Sequence, residues 1–567
     1  MSNAGILQIT PPKELNQDDR DNVFEHIYRR LAAHRNTALL LADVESTLSS
    51  HPDSVKQKRR DEVEHALNNW AQSLLQQAYT ACAQPEKEKC PMLDPFTDTS
   101  TRELAPLPAK DQLTRILNAI LFLDVTSTKQ FSSQTRVFLR SIGHVDEDVI
   151  VFALKHPEEA IEQAQKQADE TTKKHASKGK ALRMVGVGLS AVAGGVLVGV
   201  TGGLAAPLVG AAVGSVLGVF GIGGTVVGVL AAGLAGSSVV CGALFGAYGA
   251  KRTSEMIGRH TQEIRDLALL PVWQQTDEGT LSVRLCISGW LRDDTDVTEP
   301  WDVFEEADTF ALRWEVETLK ELSDALYTLV TDQTMTMIKV QVIKRTMFAS
   351  LMAALAPTAW IKIGRIIDNP WSNAIARANK AGRVLGDLLA NRVFGTRPVT
   401  LTGYSLGALV ILEALKYLAA LPPKDTIGLI EDVFLFGTPA STDERTWSSV
   451  RRLVAGRLVN GYASNDYVLN VLSRVSNWSW NVAGLERVNV KDVENVQCDF
   501  VDGHTRWRGM IGRALMAVGS PGINPDKVDS QMREVDERDN GEIELNSGKE
   551  AQGKHMDFTS NNTAPLR

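Results

Sequence analysis

Pro398-Val399-Thr400-Leu401-Thr402-Gly403-Tyr404-Ser405-Leu406-Gly407 joins a short apolar, β-branched run to a long helical pattern, Ala408 to Leu421. A buried strand, a glycine-flanked serine and a helix, in that order, make the context of a nucleophile elbow. A serine that attacks a carbonyl must stand at a sharp, strained turn. Gly403 and Gly407, two residues either side of Ser405, let strand and helix approach with no Cβ between them. With this chain's glycine and serine frequencies the pattern arises by chance roughly 0.2 times. A tight turn without chemistry is therefore the competing reading, and the surrounding sequence decides between them.

An activated serine needs a base, and the base needs an orienting acid. Around an elbow these follow in the order Ser, then Asp or Glu, then His. Downstream of Ser405 the chain has two histidines, and His555 lies in a polar tail. His504, in Asp502-Gly503-His504 after the last strand-like run, is the structured candidate. Asp466 is the favoured acid because it follows the strand-like run Leu458 to Ala463 and can reach a histidine from the strand's C-terminal end. A turn-forming Asn-Asp pair is the alternative use of that position. Asp443, Asp499 and Asp502 compete for the same role. An oxyanion hole takes the N–H after the nucleophile, from Leu406, and one from an earlier strand-to-loop turn. Ser288-Gly289-Trp290-Leu291 follows the strand-like run Val283 to Ile287, which nominates the Trp290 N–H; Trp290 would serve equally as a packing residue.

Further from the elbow, Thr309 to Trp314, Val433 to Phe436 and Leu458 to Tyr462 also look like buried strands separated by helical stretches. That alternation predicts βαβ units and a parallel sheet, hence an α/β domain over residues 260–519. An insertion around 334–375 is rich in Met, Ala, Leu and Ile, with Lys339, Lys344 and Arg345 interspersed. The composition suits a cap meeting an apolar substrate or a membrane surface, or a helix packed on the sheet.

Upstream, residues 1–180 read as a helical region, with apolar residues at 3–4 spacing in Val23 to Leu41 and Asp61 to Tyr79. The seven histidines in this part lack ligand spacing and read as ordinary surface or core residues. Residues 184–250 are different in kind: 67 residues with no charged side chain, 19 glycines and one proline. A bilayer span takes about 20 apolar residues, and small-xxx-small spacings such as Gly210/Gly214/Gly218 let helix backbones pack closely in lipid. Lysines and arginines flank both ends, which predicts a helical hairpin, turning near Gly221 to Gly224, with both ends cytoplasmic. A glycine-rich hairpin packed against protein is the alternative. Residues 520–567 read as a disordered polar tail.

Composition sets limits on function. The net charge of −8 gives no electrostatic case for nucleic acid. The five cysteines are scattered, odd in number and without zinc spacing, which suits a reducing compartment. No secretory signal is visible in the charged, polar first 30 residues. No metal and no cofactor is expected.

Three blocks carry a resemblance. They are Ile287-Ser288-Gly289-Trp290-Leu291, the run from Ile366-Ile367-Asp368-Asn369-Pro370-Trp371 through Arg377-Ala378-Asn379-Lys380-Ala381-Gly382 to the elbow, and Asp502-Gly503-His504. With them the chain resembles the family of hydrolase-like membrane proteins that includes transmembrane and coiled-coil domain-containing protein 4. The likeness covers roughly residues 110–520. It implies an α/β-hydrolase fold preceded by a glycine-rich hydrophobic segment, and Ser405, Asp466 and His504 as the matching triad positions. The expectation is a membrane-associated serine hydrolase, a lipase or phospholipase-type esterase acting on a lipid or other apolar ester. The alternatives are an inactive membrane-anchored interaction protein and a secreted bacterial lipase toxin.

Overall fold

A computed structural model describes residues 5–82, 89–166, 225–245, 264, 266–273, 279–305, 308–331, 364, 367–475 and 481–534. Seven strands form one sheet in the order β1-β3-β2-β4-β5-β6-β7. They are β1 Ala268–Pro271, β2 Val283–Ile287, β3 Thr309–Arg313, β4 Val399–Tyr404, β5 Ile430–Phe436, β6 Leu458–Tyr462 and β7 Val493–Gln497. Every pairing is parallel except β1 with β3, so the architecture is α/β with flanking helices. The central strands are buried on both faces: each residue of β2, β4 and β6 is buried. That is why they read as unbroken apolar runs instead of alternating ones. The edge strands β1 and β7 escape the sequence reading. β7, Val-Glu-Asn-Val-Gln, is mostly polar and half exposed, as an edge that must not recruit another chain tends to be.

The N-terminal helices are α1 Gln17–Leu48, α2 Asp53–Cys82, α3 Lys110–Thr128, α4 Ser133–Ile142 and α5 Glu147–Lys155. Asn16 caps α1 by accepting from the Asp19 N–H at 2.8 Å. These helices build a second apolar core around Leu74, Leu117, Phe122, Phe138 and Ile150. The layer is fastened to the α/β domain by buried charge: Arg136 of α4 reaches Glu431 of β5 and also forks onto Glu147 at 2.8 and 3.0 Å. The Glu45 carboxylate of α1 likewise accepts from Arg452.

The described part of the glycine-rich segment forms two helices, α6 Thr225–Ala235 and α7 Ser237–Leu244. Among the described residues no single helix is long and apolar enough to cross a membrane; α6 and α7 qualify only as a pair bent by 65°. The break falls at Gly236, which has the low helix propensity to allow it. Leu230, Leu234, Val240 and Leu244 are buried in the N-terminal core, whereas Val229 and Val239 face outward. Gly233 lies so close to α3 that a Cβ there would come within 2.9 Å of the Phe122 ring. So 225–244 is not one leg of a straight hairpin but a bent pair with one face on protein. The expected turn at 221–224 and the rest of 184–250 lie outside the described residues.

Two boundaries differ from the sequence reading. Most of the expected cap at 334–375 lies outside the described residues, but its C-terminal end belongs to the α/β core. Downstream of α8, Val316–Thr331, Ile367–Trp371 form a π-helical turn leading into α9, Ser372–Ala390, with Trp371 and Ala374 fully buried. The chain also stays packed beyond residue 519. Val528 is buried, and Gln531 accepts from the Gly512 N–H at 3.0 Å while donating to the Pro300 carbonyl at 2.9 Å. The polar neighbours Asp526, Lys527, Asp529, Ser530 and Gln531 around Val528 masked that anchor in the sequence.

Candidate active site

Ser405 stands between β4 and α10, Leu406–Ala420, with φ 53° and ψ −127°. A non-glycine residue at positive φ is strained and is held only by its surroundings. Here the Ser405 N–H donates to the Phe436 carbonyl of β5 at 2.8 Å, and the register of β2 against β4 sets Ile287 opposite Gly403. That register brings the loop after β2 against the elbow. A Cβ on Gly407 would lie 2.0 Å from the Ile287 carbonyl oxygen, and one on Gly289 would lie 2.1 Å from the Tyr404 carbonyl oxygen and 2.5 Å from the Leu406 nitrogen. Only glycine fits at either place.

The three expected side chains converge. Ser405 Oγ is 2.6 Å from His504 Nε2, and His504 Nδ1 is 2.7 Å from Asp466 Oδ2. A carboxylate only accepts, so Nδ1 carries the proton toward Asp466 and Nε2 is left to accept from the serine hydroxyl. All three residues are buried, at 1%, 0% and 0% exposure. His504 begins a 3₁₀ turn after Gly503, whose φ of 100° is a glycine conformation. Asp466 precedes α12, Tyr467–Val475, and its Oδ1 accepts from the Leu469 N–H at 3.0 Å. The carboxylate is thereby oriented from two sides. Asp443 and Asp499, two of the three competing acids, are engaged elsewhere: Asp443 caps α11, Glu444–Leu453, through Thr446 at 2.9 Å, and Asp499 accepts from Ser464 at 2.9 Å.

Leu406 is the first residue of α10, so its N–H has no intrahelical acceptor. Gly289 abuts that nitrogen, and Trp290 follows it, buried, with the Arg508 guanidinium 5.9 Å from its ring. The Ser288 loop is pinned from three directions. Trp314 Nε1 donates to the Ser288 carbonyl at 3.1 Å, Trp301 Nε1 donates to Ser288 Oγ at 3.1 Å, and that hydroxyl donates to the Asp296 carbonyl at 2.9 Å. Asp296 in turn accepts from the Arg292 N–H at 2.7 Å and from buried Arg508. Burial pushes the Asp296 carboxyl above its ordinary range, against the opposing pull of Arg508.

Sequence reasoning missed this supporting shell. Trp371 lies edge-on to the His504 ring at 6.4 Å, and Trp507 Nε1 approaches Asp466 Oδ2 at 3.4 Å. Trp371 stood inside the family signature, and Trp507 stands three residues after His504, so proximity to the motifs was the available signal. Asp296 and Arg508 are 212 positions apart and offered none. Among the described residues, no group of three or more His, Cys, Asp or Glu side chains is arranged to hold a metal ion.

No solved structure matches the chain. It is 36% identical over 346 residues to an uncharacterized membrane protein, C6F6.13c, of Schizosaccharomyces pombe, covering 59% of each chain. It is 35% identical over 331 residues to the transmembrane and coiled-coil domain-containing protein STS1 of Oryza sativa, covering 57% of this chain and 50% of the relative. A protein named probable lipase MIL1, of Saccharomyces cerevisiae, is 32% identical over 347 residues, covering 58% of this chain and 30% of the relative. The match thus spans about half the length of the first two curated relatives, and less for the last. A family model described as "Protein of unknown function (DUF726)" matches residues 179–520, well over half of the chain, and the chain belongs to that family.

Proposed function

We propose that this protein is a membrane-associated serine hydrolase of α/β-hydrolase type that cleaves an ester of a lipid or similarly apolar acyl group. The observation that carries the reading is the continuous chain Ser405 Oγ–His504 Nε2, His504 Nδ1–Asp466 Oδ2, at 2.6 and 2.7 Å, mounted on a strained, positive-φ serine. Strain concentrated at one side chain already bonded to a base is what nucleophilic catalysis requires.

In this mechanism Ser405 Oγ attacks the ester carbonyl as its proton passes to His504 Nε2. Asp466 holds the imidazole in the competent tautomer and stabilises the imidazolium. The oxyanion of the tetrahedral intermediate is held by the Leu406 and Trp290 N–H groups. Collapse expels the alcohol, which takes the proton from Nε2, and leaves an acyl-serine. A water then gives its proton to Nε2 and attacks the acyl carbon, releasing the acid and restoring Ser405.

The lipid class is supported by the apolar segment that precedes the domain and by the name of the yeast relative. Membrane association is supported by the names of the fission-yeast and rice relatives. Labelling with a fluorophosphonate probe tests the nucleophile: wild type should label and Ser405→Ala should not. Persistent labelling of the variant would remove Ser405 from the role.

A further inference from the structure

A cleft of about 300 Å³ lies between the helical layer and the α/β domain, bounded by the end of α1, the start of α2, the C-terminal end of α10 and helix α11. Ser405 opens α10 and Ala420 ends it, so the cleft is ~20 Å from the serine at a rise of about 1.5 Å per residue. It is a different place on the molecule, and its lining is basic. Lys56, Arg59, Arg60, Lys416, Arg445 and Arg452 line it, against one lining carboxylate, Glu45.

Most of these cations are compensated. Arg60 is paired with Asp43 and Glu64, Lys416 with Glu413 at 2.6 Å, and Lys56 lies 3.6 Å from exposed Asp53. Arg59 reaches the Ala419 carbonyl oxygen, but neither it nor Arg445 has a carboxylate within ion-pair distance among the described residues. Arg452 is more telling. Its side chain is 2% exposed, its Nε donates to Glu45, and its Nη2 donates to the Ala419 carbonyl at 3.4 Å. Its Nη1 is buried with no hydrogen-bond partner among the described residues. A guanidinium is a fixed fork of donors, and two guanidiniums without a carboxylate beside a third whose Nη1 has no partner favour an acceptor carrying about two negative charges.

We propose that this cleft is an anion site for a phosphomonoester, taken from a soluble metabolite or from a lipid headgroup. The phosphate is bound by Arg59 and Arg445, with the Arg452 guanidinium lining the wall behind them. Because the ligand touches both α2 of the helical layer and α11 of the α/β domain, it ties the two together, and its binding does not depend on Ser405.

Isothermal titration of the full chain with inorganic phosphate at constant ionic strength tests this, beside flotation with vesicles of phosphatidylcholine alone or with added phosphatidic acid. Wild type should bind saturably, and Arg59→Gln/Arg445→Gln should weaken binding about tenfold or more. Arg445→Gln alone, on an exposed side chain, should weaken it in the same direction should the double variant fail to fold. Lys58→Gln, also exposed on α2 but outside the cleft, should bind as wild type does. Flotation that needs phosphatidic acid and is lost in the cleft variants assigns the headgroup source; saturable phosphate binding without flotation assigns the soluble one. Wild type that engages neither probe, or an equal loss in Lys58→Gln, overturns the site.

Discussion

Ser405, His504 and Asp466 on one side, and Arg136, Glu147 and Glu431 on the other, are both buried polar assemblies built from residues far apart in the chain. They differ in what is left over. In the second, a guanidinium forks onto one carboxylate and reaches a second, so charge is spent on charge. Burial opposes ionisation of Glu147, yet Arg136 holds its carboxyl below the ordinary range. In the first, every group is committed to the next and the last in line is a hydroxyl on a strained backbone. Burial alone therefore does not mark a functional site. What marks one is a polar chain that ends on a group with reactivity to spare.

The sharpest way to break that contrast is Asp466→Asn. The proposed chemistry predicts a fall in hydrolysis of a p-nitrophenyl ester of about 10⁴-fold, because an amide favours the wrong imidazole tautomer. A loss of only a few-fold would reduce Asp466 to the helix cap it also is. The opposite arm is Arg136→Met, which leaves the buried carboxylates Glu147 and Glu431 only the more exposed Arg140, at 3.1 and 3.8 Å, and should cost about 3 kcal/mol in urea unfolding. Fluorophosphonate labelling of the molecules that remain folded should be unchanged. A drop in labelling per folded molecule would show that the two assemblies are not separate.

Asp124 offers the smallest and most graded test. It is another buried acid, in α3, whose one polar side-chain contact is Thr135 Oγ1 at 3.3 Å among the described residues. Burial pushes its carboxyl up to about 7. Between the ordinary aspartate value near 4 and 7 the folded state holds a proton that the unfolded chain has released. Stability therefore falls as pH rises through that window, by up to ~1.4 kcal/mol per unit, and levels off above it. Asp124→Asn should flatten the slope of unfolding free energy between pH 4 and 7. An unchanged slope would mean that Asp124 does not carry it.

Legibility followed the range of the forces. The elbow, α10 and the central strands were readable because both faces of those strands are buried and the periodicity is local. β7 was not, because an edge strand is written in polar residues. The extent of the N-terminal helices came out short: α1 runs Gln17–Leu48 where apolar spacing reached only from Val23 to Leu41. Capping and the packing of neighbouring helices add turns that no apolar stripe marks.

From the sequence alone came the candidate nucleophile, the histidine and the favoured acid, because a glycine-flanked serine after an apolar strand is a local pattern, one structured histidine follows it, and Asp466 closes a strand-like run between them. Only the tertiary structure showed Asp466 bonded to His504 with Asp443 and Asp499 engaged elsewhere, set Gly289 against the Leu406 nitrogen, and left Arg452 Nη1 without a hydrogen-bond partner beside a basic cleft. Those outcomes depend on strand order, register and the docking of a helical layer. They are contacts between residues tens to hundreds of positions apart, which no local propensity encodes.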